Sequence, residues 1–269
     1  MKQSKAIVKQ RQQRIFHMFE EEPTLYVAEV AKQLNLSELT IRRDFELMAS
    51  KGLVTRFHGG ARLNPTVEQA PEFSSKDSLN HYQKQMIAKV AATYINDSDT
   101  VFINAGTSTL EVIKVIKDKQ ITIVTNSAPA SEILINTPAK LICTGGEFNP
   151  KNRAFAGPLA TNLINKIFSS ITILGVNGLS AKEGVTTAYY PETMINQEFL
   201  KQSKGLKIVV ADGSKLGKTY SFNSTEMKNI DIVITDSSAN GEEVEKLKTL
   251  GITVILADMM DIEKELAGS

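Results

Sequence analysis

The sequence predicts an α/β protein in two parts, a small helical head at the N-terminus and a larger body built on a mostly parallel sheet. Three observations carry this reading. Residues 1–56 bring apolar groups round at helical spacing, interrupted by a proline and a short polar turn. From Thr100 onward, short apolar runs alternate with amphipathic stretches, the pattern of parallel strands covered by helices on both faces. The charge divides at the same place: residues 1–62 carry 11 Lys/Arg against 7 Asp/Glu, net +4, and residues 63–269 carry 20 against 23, net −3.

Composition bounds the class. With 42% hydrophobic and 23% charged residues over 269 positions, the chain is an ordinary globular one, long enough for two domains. Cys143 is the single cysteine, which excludes an intramolecular disulfide and a cysteine-built zinc site and fits a reducing compartment. No apolar run approaches the roughly 18 residues of a membrane span, and the basic, polar start has no apolar leader. The expectation is a cytoplasmic protein without membrane contact.

The head begins with a helix whose pattern is set by Ile7, Arg11, Ile15, Phe16, Met18 and Phe19, ended by Pro23. Tyr26–Leu34 makes a second helix, and Asn35-Leu36-Ser37 a tight connection. Ser37 is a good N-cap for a third helix from Glu38 to about Ser50, with Ile41, Phe45 and Met48 facing inward and Gly52 as its stop. Leu53–Arg62 reads as extended chain with a Gly59-Gly60 turn. Residues 63–77, polar and holding two prolines, read as a linker, so that 1–62 and 78–269 are the expected domains.

In the body, a helix at about Leu79–Ile95 precedes strands at Val101–Ile103, Ile121–Val124, Leu141–Cys143, Ile171–Val176, Ile208–Ala211, Ile232–Thr235 and Thr253–Leu256. Helical stretches fall at Leu110–Ile116, Ala128–Ile135, Leu159–Ile164, Glu192–Leu200 and Glu242–Leu250.

Two helices joined by a short turn, the second with outward polar groups, make a helix-turn-helix pattern. With Ile41 and Phe45 inward, Thr40, Arg43 and Leu47 share another face and Arg42 lies nearby. Arginine forks onto guanine or phosphate, and threonine meets a base edge or a thymine methyl. Arg56 and His58 in the extended segment reach for a neighbouring phosphate, which suggests a winged motif. The plain alternative is a helical domain with solvated arginines.

The run Ser37-Glu38-Leu39-Thr40-Ile41-Arg42-Arg43-Asp44-Phe45, followed by Gly52-Leu53-Val54-Thr55-Arg56-Phe57-His58-Gly59-Gly60-Ala61, closely resembles the head of the DeoR family of bacterial regulators. The resemblance implies a winged helix-turn-helix that binds operator DNA, usually as a repressor. It implies contacts from Ser37, Leu39, Thr40, Arg42 and Arg43 on the helix and from Arg56, His58, Gly59 and Gly60 in the wing.

In the body, Asn104-Ala105-Gly106-Thr107-Ser108-Thr109 leaves a strand and opens a helix. The first amides of a helix lack partners and its dipole is positive there, so this is where an anion would sit. Ordinary capping is the plain alternative. Thr125-Asn126, Gly145-Gly146, Asn177-Gly178, Glu183–Thr187 with Thr186 among them, and Asp212-Gly213-Ser214-Lys215 fall at comparable strand ends, where open α/β sheets bind ligands. Small residues, hydroxyls and a lysine recur there, as a polyhydroxylated anion needs. Lys215 is the leading direct contact, with a solvated loop lysine as the alternative. These segments also resemble the family's sensor domain, which implies a fold related to ribose-5-phosphate isomerase and a phosphorylated sugar or sugar-acid effector, with no cofactor or metal. Asn104 and Asn177 stand where the family more often has aspartate, and an amide reads a different hydroxyl pattern from a carboxylate.

Other chemistries fit poorly. Gly213–Thr219 ends in Gly-Lys-Thr, but the glycine a P-loop needs is Asp212. His17, His58 and His81 lie far apart and suggest neither a metal set nor a Ser-His pair. The alternative function is a sugar-phosphate isomerase-like enzyme with an added DNA-binding head, in which Glu183, Glu192 or Asp212 would supply the base. The favoured expectation is a repressor of a sugar-uptake or catabolic operon. Its partners would be operator DNA, a sugar-phosphate effector and other copies of itself, as a dimer or tetramer.

Overall fold

The computed structural model describes residues 8, 11, 12, 14, 15, 18, 19, 22–50, 54–63 and 79–259. Ile7, Phe16, His17, Gly52, Leu53 and the expected linker from residue 64 onward lie outside the described residues. The chain divides into two compact units, one of residues 1–69 together with Ala188–Tyr190, the other of the remainder.

In the head, residues 8, 11, 12, 14, 15, 18 and 19 are helical. They are followed by β1 (Thr24–Tyr26), α1 (Val27–Leu34), α2 (Glu38–Ser50), β2 (Val54–Phe57) and β3 (Gly60–Leu63). Strand β1 was not expected. It pairs antiparallel with β3 in a three-stranded sheet of order β1-β3-β2, so Tyr26 is strand and α1 starts one residue later. Asn35 ends α1 in the left-handed region at φ 52°, a conformation asparagine tolerates. Ser37 caps α2 as its position suggests, its Oγ accepting from the Thr40 amide at 3.3 Å. Ile15, Phe19, Val30, Ile41, Phe45 and Met48 form the core. The wing turns at His58-Gly59, and Gly60 is the first residue of β3. A Cβ on Gly60 would stand 2.5 Å from the Leu25 carbonyl and 2.5 Å from the Phe57 ring, so β1 can pair only with glycine there.

Asp44, on the inner face of α2, is 1% exposed. Arg11 forks onto its carboxylate through Nε and, at 3.0 Å, Nη2, and the Gln12 amide donates to it at 3.4 Å. A buried carboxylate without these donors would be strongly unfavourable, so this pair ties the first helix to α2. Asp44→Ala is expected to destabilise the head by about 3 kcal/mol, since it breaks a buried ion pair. Thermal unfolding of the full chain should show the head transition lowered and the larger unit unchanged.

The larger unit opens α3 (His81–Thr93), β4 (Thr100–Ile103), α4 (Thr107–Ile116), β5 (Thr122–Thr125), α5 (Ala130–Ile133) and β6 (Lys140–Cys143). A hairpin, β7 (Glu147–Asn149) and β8 (Ala154–Ala156), leads to α6 (Pro158–Ile164) and β9 (Ser169–Gly175). Then come β10 (Gly178–Ser180), β11 (Gly184–Thr187), α7 (Tyr190–Gln202), β12 (Ser203–Val210), β13 (Phe222–Thr225), β14 (Ile232–Thr235), α8 (Gly241–Thr249) and β15 (Thr253–Leu256). All seven expected strands are present and form one parallel sheet of order β15-β14-β12-β9-β4-β5-β6. The helix at 128–135 contracts to a single turn, and β12 starts well before Ile208.

Alternate residues of each strand feed two cores. Val101, Ile103, Ile173 and Val210 pack with Ile87 and Ala91 of α3 and Val112, Ile113 and Ile116 of α4. Phe102, Leu174 and Val209 pack on the other face with Ile164 of α6, Ile195 and Phe199 of α7, and Leu247 of α8. The chain therefore winds from β4 to β6 with its helices on one face, and from β9 to β15 with them on the other. The reversal falls between the neighbouring strands β4 and β9, and the crevice such a reversal opens at the strand ends is where ligands bind in open α/β sheets.

Candidate functional site

A cavity of about 300 Å³ lies at this reversal. Ala105, Gly106, Thr107 and Ser108 line it from the loop after β4, and Gly175, Val176 and Asn177 from the end of β9 and the loop beyond. Asp212, Ser214 and Lys215 enter from the turn after β12, and Leu79, Asn80 and Lys84 from the start of α3. Asn152 of the β7–β8 turn, Thr187 and Glu192 complete the wall.

The loop after β4 has the form of an anion cradle. Gly106 is the N-cap of α4, and the first bond of the helix runs from the Leu110 amide to the Gly106 carbonyl at 2.9 Å. The amides of Thr107 and Ser108 therefore have no acceptor among the described residues, and they carry the positive end of the helix dipole. Thr109 does not join them: its hydroxyl is fully buried and donates back to the Asn104 carbonyl at 2.7 Å.

Behind the cradle stands a layer of uncharged amides. The Asn104 side chain accepts from the Gly175 amide at 2.8 Å and donates to the Gly175 carbonyl at 2.8 Å and to Asn196 Oδ1 at 2.9 Å. It thus takes the place of a strand in bridging the ends of β4 and β9. Asn126 accepts from the Ala105 amide at 2.7 Å and donates to the Phe155 carbonyl at 2.9 Å, joining the cradle to the β7–β8 hairpin. Asn104 and Asn126 are 5% and 1% exposed and spend their polar groups on protein, so neither lines the cavity.

Of the remaining expected positions, Gly106, Thr107, Ser108, Asn177 and Lys215 line the cavity, while Thr125, Gly145, Gly146, Gly178 and Thr186 do not. Thr125 is buried, with its hydroxyl accepting from the Ser127 amide at 3.1 Å. Thr186 donates to the Gly178 carbonyl at 3.2 Å and accepts from the Tyr220 amide at 3.0 Å. Gly178 is needed for close approach, since a Cβ there would stand 2.5 Å from the Lys218 carbonyl. These residues hold the loops that carry the cavity wall.

Sequence reasoning missed Lys84, Asn80 and Asn152; it offered Glu192 and Asp212 as candidate bases of the isomerase-like alternative, and both line the cavity. Lys84 is 3% exposed, one turn into α3. Asn80 donates to Asp212 at 2.8 Å, and Asp212 in turn caps the turn Gly213–Lys215 through the Ser214 amide at 3.1 Å. This bond joins the elements that bring Lys84 and Lys215 to one cavity. The signal for Lys84 was a lysine on the apolar-facing side of a helix, among Ile87, Ala88 and Ala91. Lys215 is half-buried, with no side-chain partner among the described residues. Glu192, in the first turn of α7, accepts from Asn152 Nδ2 at 2.9 Å. No group of residues suited to a metal ion occurs among the described residues.

On the head, α2 exposes Leu39, Arg42, Arg43 and Leu47 and buries Ile41, Phe45 and Met48. Arg43 has no partner among the described residues. Arg42 meets Glu38 at 3.1 Å and Arg56 meets Glu46 at 3.4 Å. Such exposed pairs are worth about 0.2–1 kcal/mol, so both arginines can exchange them for a phosphate at little cost. The hydroxyls of Ser37 and Thr40 lie 2.9 Å apart, so Ser37 serves the helix cap. His58 and Gly59 form the exposed tip of the wing.

A helix-turn-helix head followed by an α/β unit with a polar cavity defines a class of ligand-responsive DNA-binding regulators. Residues 11–67 match the DeoR-like helix-turn-helix domain and residues 79–237 the DeoR C terminal sensor domain. The chain is 30% identical to the transcriptional regulator GlpR of Haloferax volcanii, over 91% of this chain and 96% of that one. It is 28% identical to the regulator GolR of Listeria innocua, over 93% and 98%. It is 30% identical to a lactose phosphotransferase system repressor of Staphylococcus epidermidis, over 82% and 88%. A solved ribose 5-phosphate isomerase A from Methanocaldococcus jannaschii superposes with a TM-score of 0.38, at 13% identity over 51% of this chain and 55% of that one. The chain belongs to the DeoR family and is a transcriptional regulator. No helix among the described residues is long and apolar enough to cross a membrane.

Asn104→Asp replaces a donor facing two acceptors with a charged acceptor. It is expected to destabilise the larger unit by on the order of 3 kcal/mol, read as a fall of several degrees in its thermal transition. An unchanged transition would show that the β4–β9 bridge carries no weight.

Proposed function

We infer that this regulator is a cytoplasmic repressor of a sugar-uptake or sugar-catabolic operon, released from its operator by a phosphorylated sugar. The observation that carries the reading is the meeting, in one cavity, of the unpaired Thr107 and Ser108 amides with Lys84 and Lys215. Helix amides and lysines are what a phosphate dianion needs, and the amide and carboxylate groups around them suit hydroxyls. The name of the Staphylococcus epidermidis relative supports the repressor sign and the link to sugar uptake.

The head reads operator DNA with α2 in the major groove. Arg42 and Arg43 are foremost, Leu39 and Thr40 offer groups to a thymine methyl, and Arg56 and His58 hold the wing on the backbone. One head makes few contacts, so useful affinity needs at least two copies on repeated half-sites. The effector favours one arrangement of the assembled sensors over another. A tenfold change in operator affinity requires about 1.4 kcal/mol of differential binding.

Three variants test this. Arg43→Ala should abolish operator binding and leave effector binding intact. Gly106→Asp should do the reverse, because a carboxylate then occupies the cradle, and should give a repressor that no phosphorylated sugar releases. Normal induction of Gly106→Asp would locate effector binding elsewhere. Arg56→Ala should weaken binding to all DNA sequences and reduce the salt slope by about one.

A further inference from the structure

The wing of the head is closed by a turn that does not suit a hairpin. Only His58 and Gly59 separate the paired residues Phe57 and Gly60. His58 keeps a negative φ and Gly59 stands at φ 88°, the order found in an unprimed type II turn. Two-residue hairpins favour the primed turns, because the unprimed ones splay the strands against their natural twist. The wing therefore needs support from outside, and β1 and the start of α1 give it. The Gly59 carbonyl accepts from the Val27 amide, the first of α1, at 2.9 Å. Tyr26, Gly60 and Phe57 form one row across the sheet, since Gly60 is in register with both. The two rings meet edge to face with centroids 5.7 Å apart. The tip of the Phe57 ring lies 2.5 Å from where a Gly60 Cβ would stand, so the ring covers the bare glycine. Tyr26 is also the N-cap residue of α1, yet its side chain makes no bond to the helix. Both rings remain exposed, at 48% and 40%, so they add little to the core of the head. What they hold is the turn beside them.

Resting on the reading above that the wing meets the DNA backbone, we propose that Tyr26 and Phe57 are positioning residues for DNA binding. Their ring pair, closed over Gly60, fixes the wing so that Arg56 and His58 meet the backbone while α2 lies in the groove. Phe57 stands between Arg56 and His58 in the chain, so what fixes its ring fixes the strand end that carries both. A wing already in place binds without first ordering a splayed hairpin, and its contacts are not offset by that cost. Neither ring carries a charge or needs to touch DNA for this role.

The test uses the full-length protein and a short DNA duplex of mixed sequence, with affinity measured against salt concentration. Arg56→Ala lowers the salt slope by about one on the wing reading. Phe57→Ala and Tyr26→Ala are each expected to lower it by about the same amount, although neither removes a charge, and to retain the thermal transition of the head. Adding Arg56→Ala to Phe57→Ala should change the slope no further, and Phe57→Tyr should keep the slope of the unaltered protein. A full slope in Phe57→Ala, or a further loss when Arg56→Ala is added to it, would overturn the positioning role and leave the wing contact standing. Loss of the head's thermal transition in both alanine variants would make the rings part of the fold itself and overturn the role as well. A slope that Arg56→Ala alone leaves unchanged would overturn the wing reading and this assignment with it.

Discussion

The reversal of winding between β4 and β9 is the constraint on which the sensor unit depends. Two parallel strands whose following segments leave in opposite directions lose their ladder at that point, and the exposed backbone groups must be satisfied by something else. Asn104 does this with one side chain, bonding both the amide and the carbonyl of Gly175. Because the two strand ends are pinned, the loops beyond them open a crevice of fixed shape. The cradle amides, the Gly175–Asn177 wall and the entry of α7 all take their positions from it. An aspartate could accept from Gly175 but could not donate, so the asparagine here is matched to its acceptor Asn196.

The head rests on a comparable bond of opposite character. Asp44 is a full charge in a small core, and Arg11 and Gln12 both serve it. A domain of this size has little apolar surface to spare, and a forked ion pair gives the first helix one orientation against α2. That orientation leaves Arg42 and Arg43 on the outside, where exposed and weakly held arginines are of use. In both units a buried polar group sets the geometry of the residues around it.

Much of the architecture could be read from residue patterns. Strands such as Val101–Ile103 and Ile232–Ile234 are continuously apolar because both faces are covered, and helices such as α8 carry caps and a one-sided stripe. The short elements could not be read. Strand β1, the β7–β8 hairpin and the sheet of β10, β11 and β13 are strands of three or four residues that exist through pairing with distant segments, and Phe222–Thr225 has no period of its own. Within the site, Gly106–Ser108 and Lys215 were visible because backbone chemistry at a helix start, and a lysine beside a turn, announce themselves locally. Asn126, Thr125 and Thr186 shared that local appearance but turned their groups inward to support loops. Lys84 and Asn152 were missed because each comes from a different element, and only the topology brings them together.

The central claim is that a phosphate rests on the first amides of α4. The most direct measurement is the backbone amide spectrum of isotope-labelled protein during titration with inorganic phosphate and then with a phosphorylated sugar that releases operator DNA. The Thr107 and Ser108 amides are expected to shift downfield and saturate with both, in step with protection of the fold against heat. Saturable binding of the sugar phosphate that leaves those two amides unmoved would contradict it.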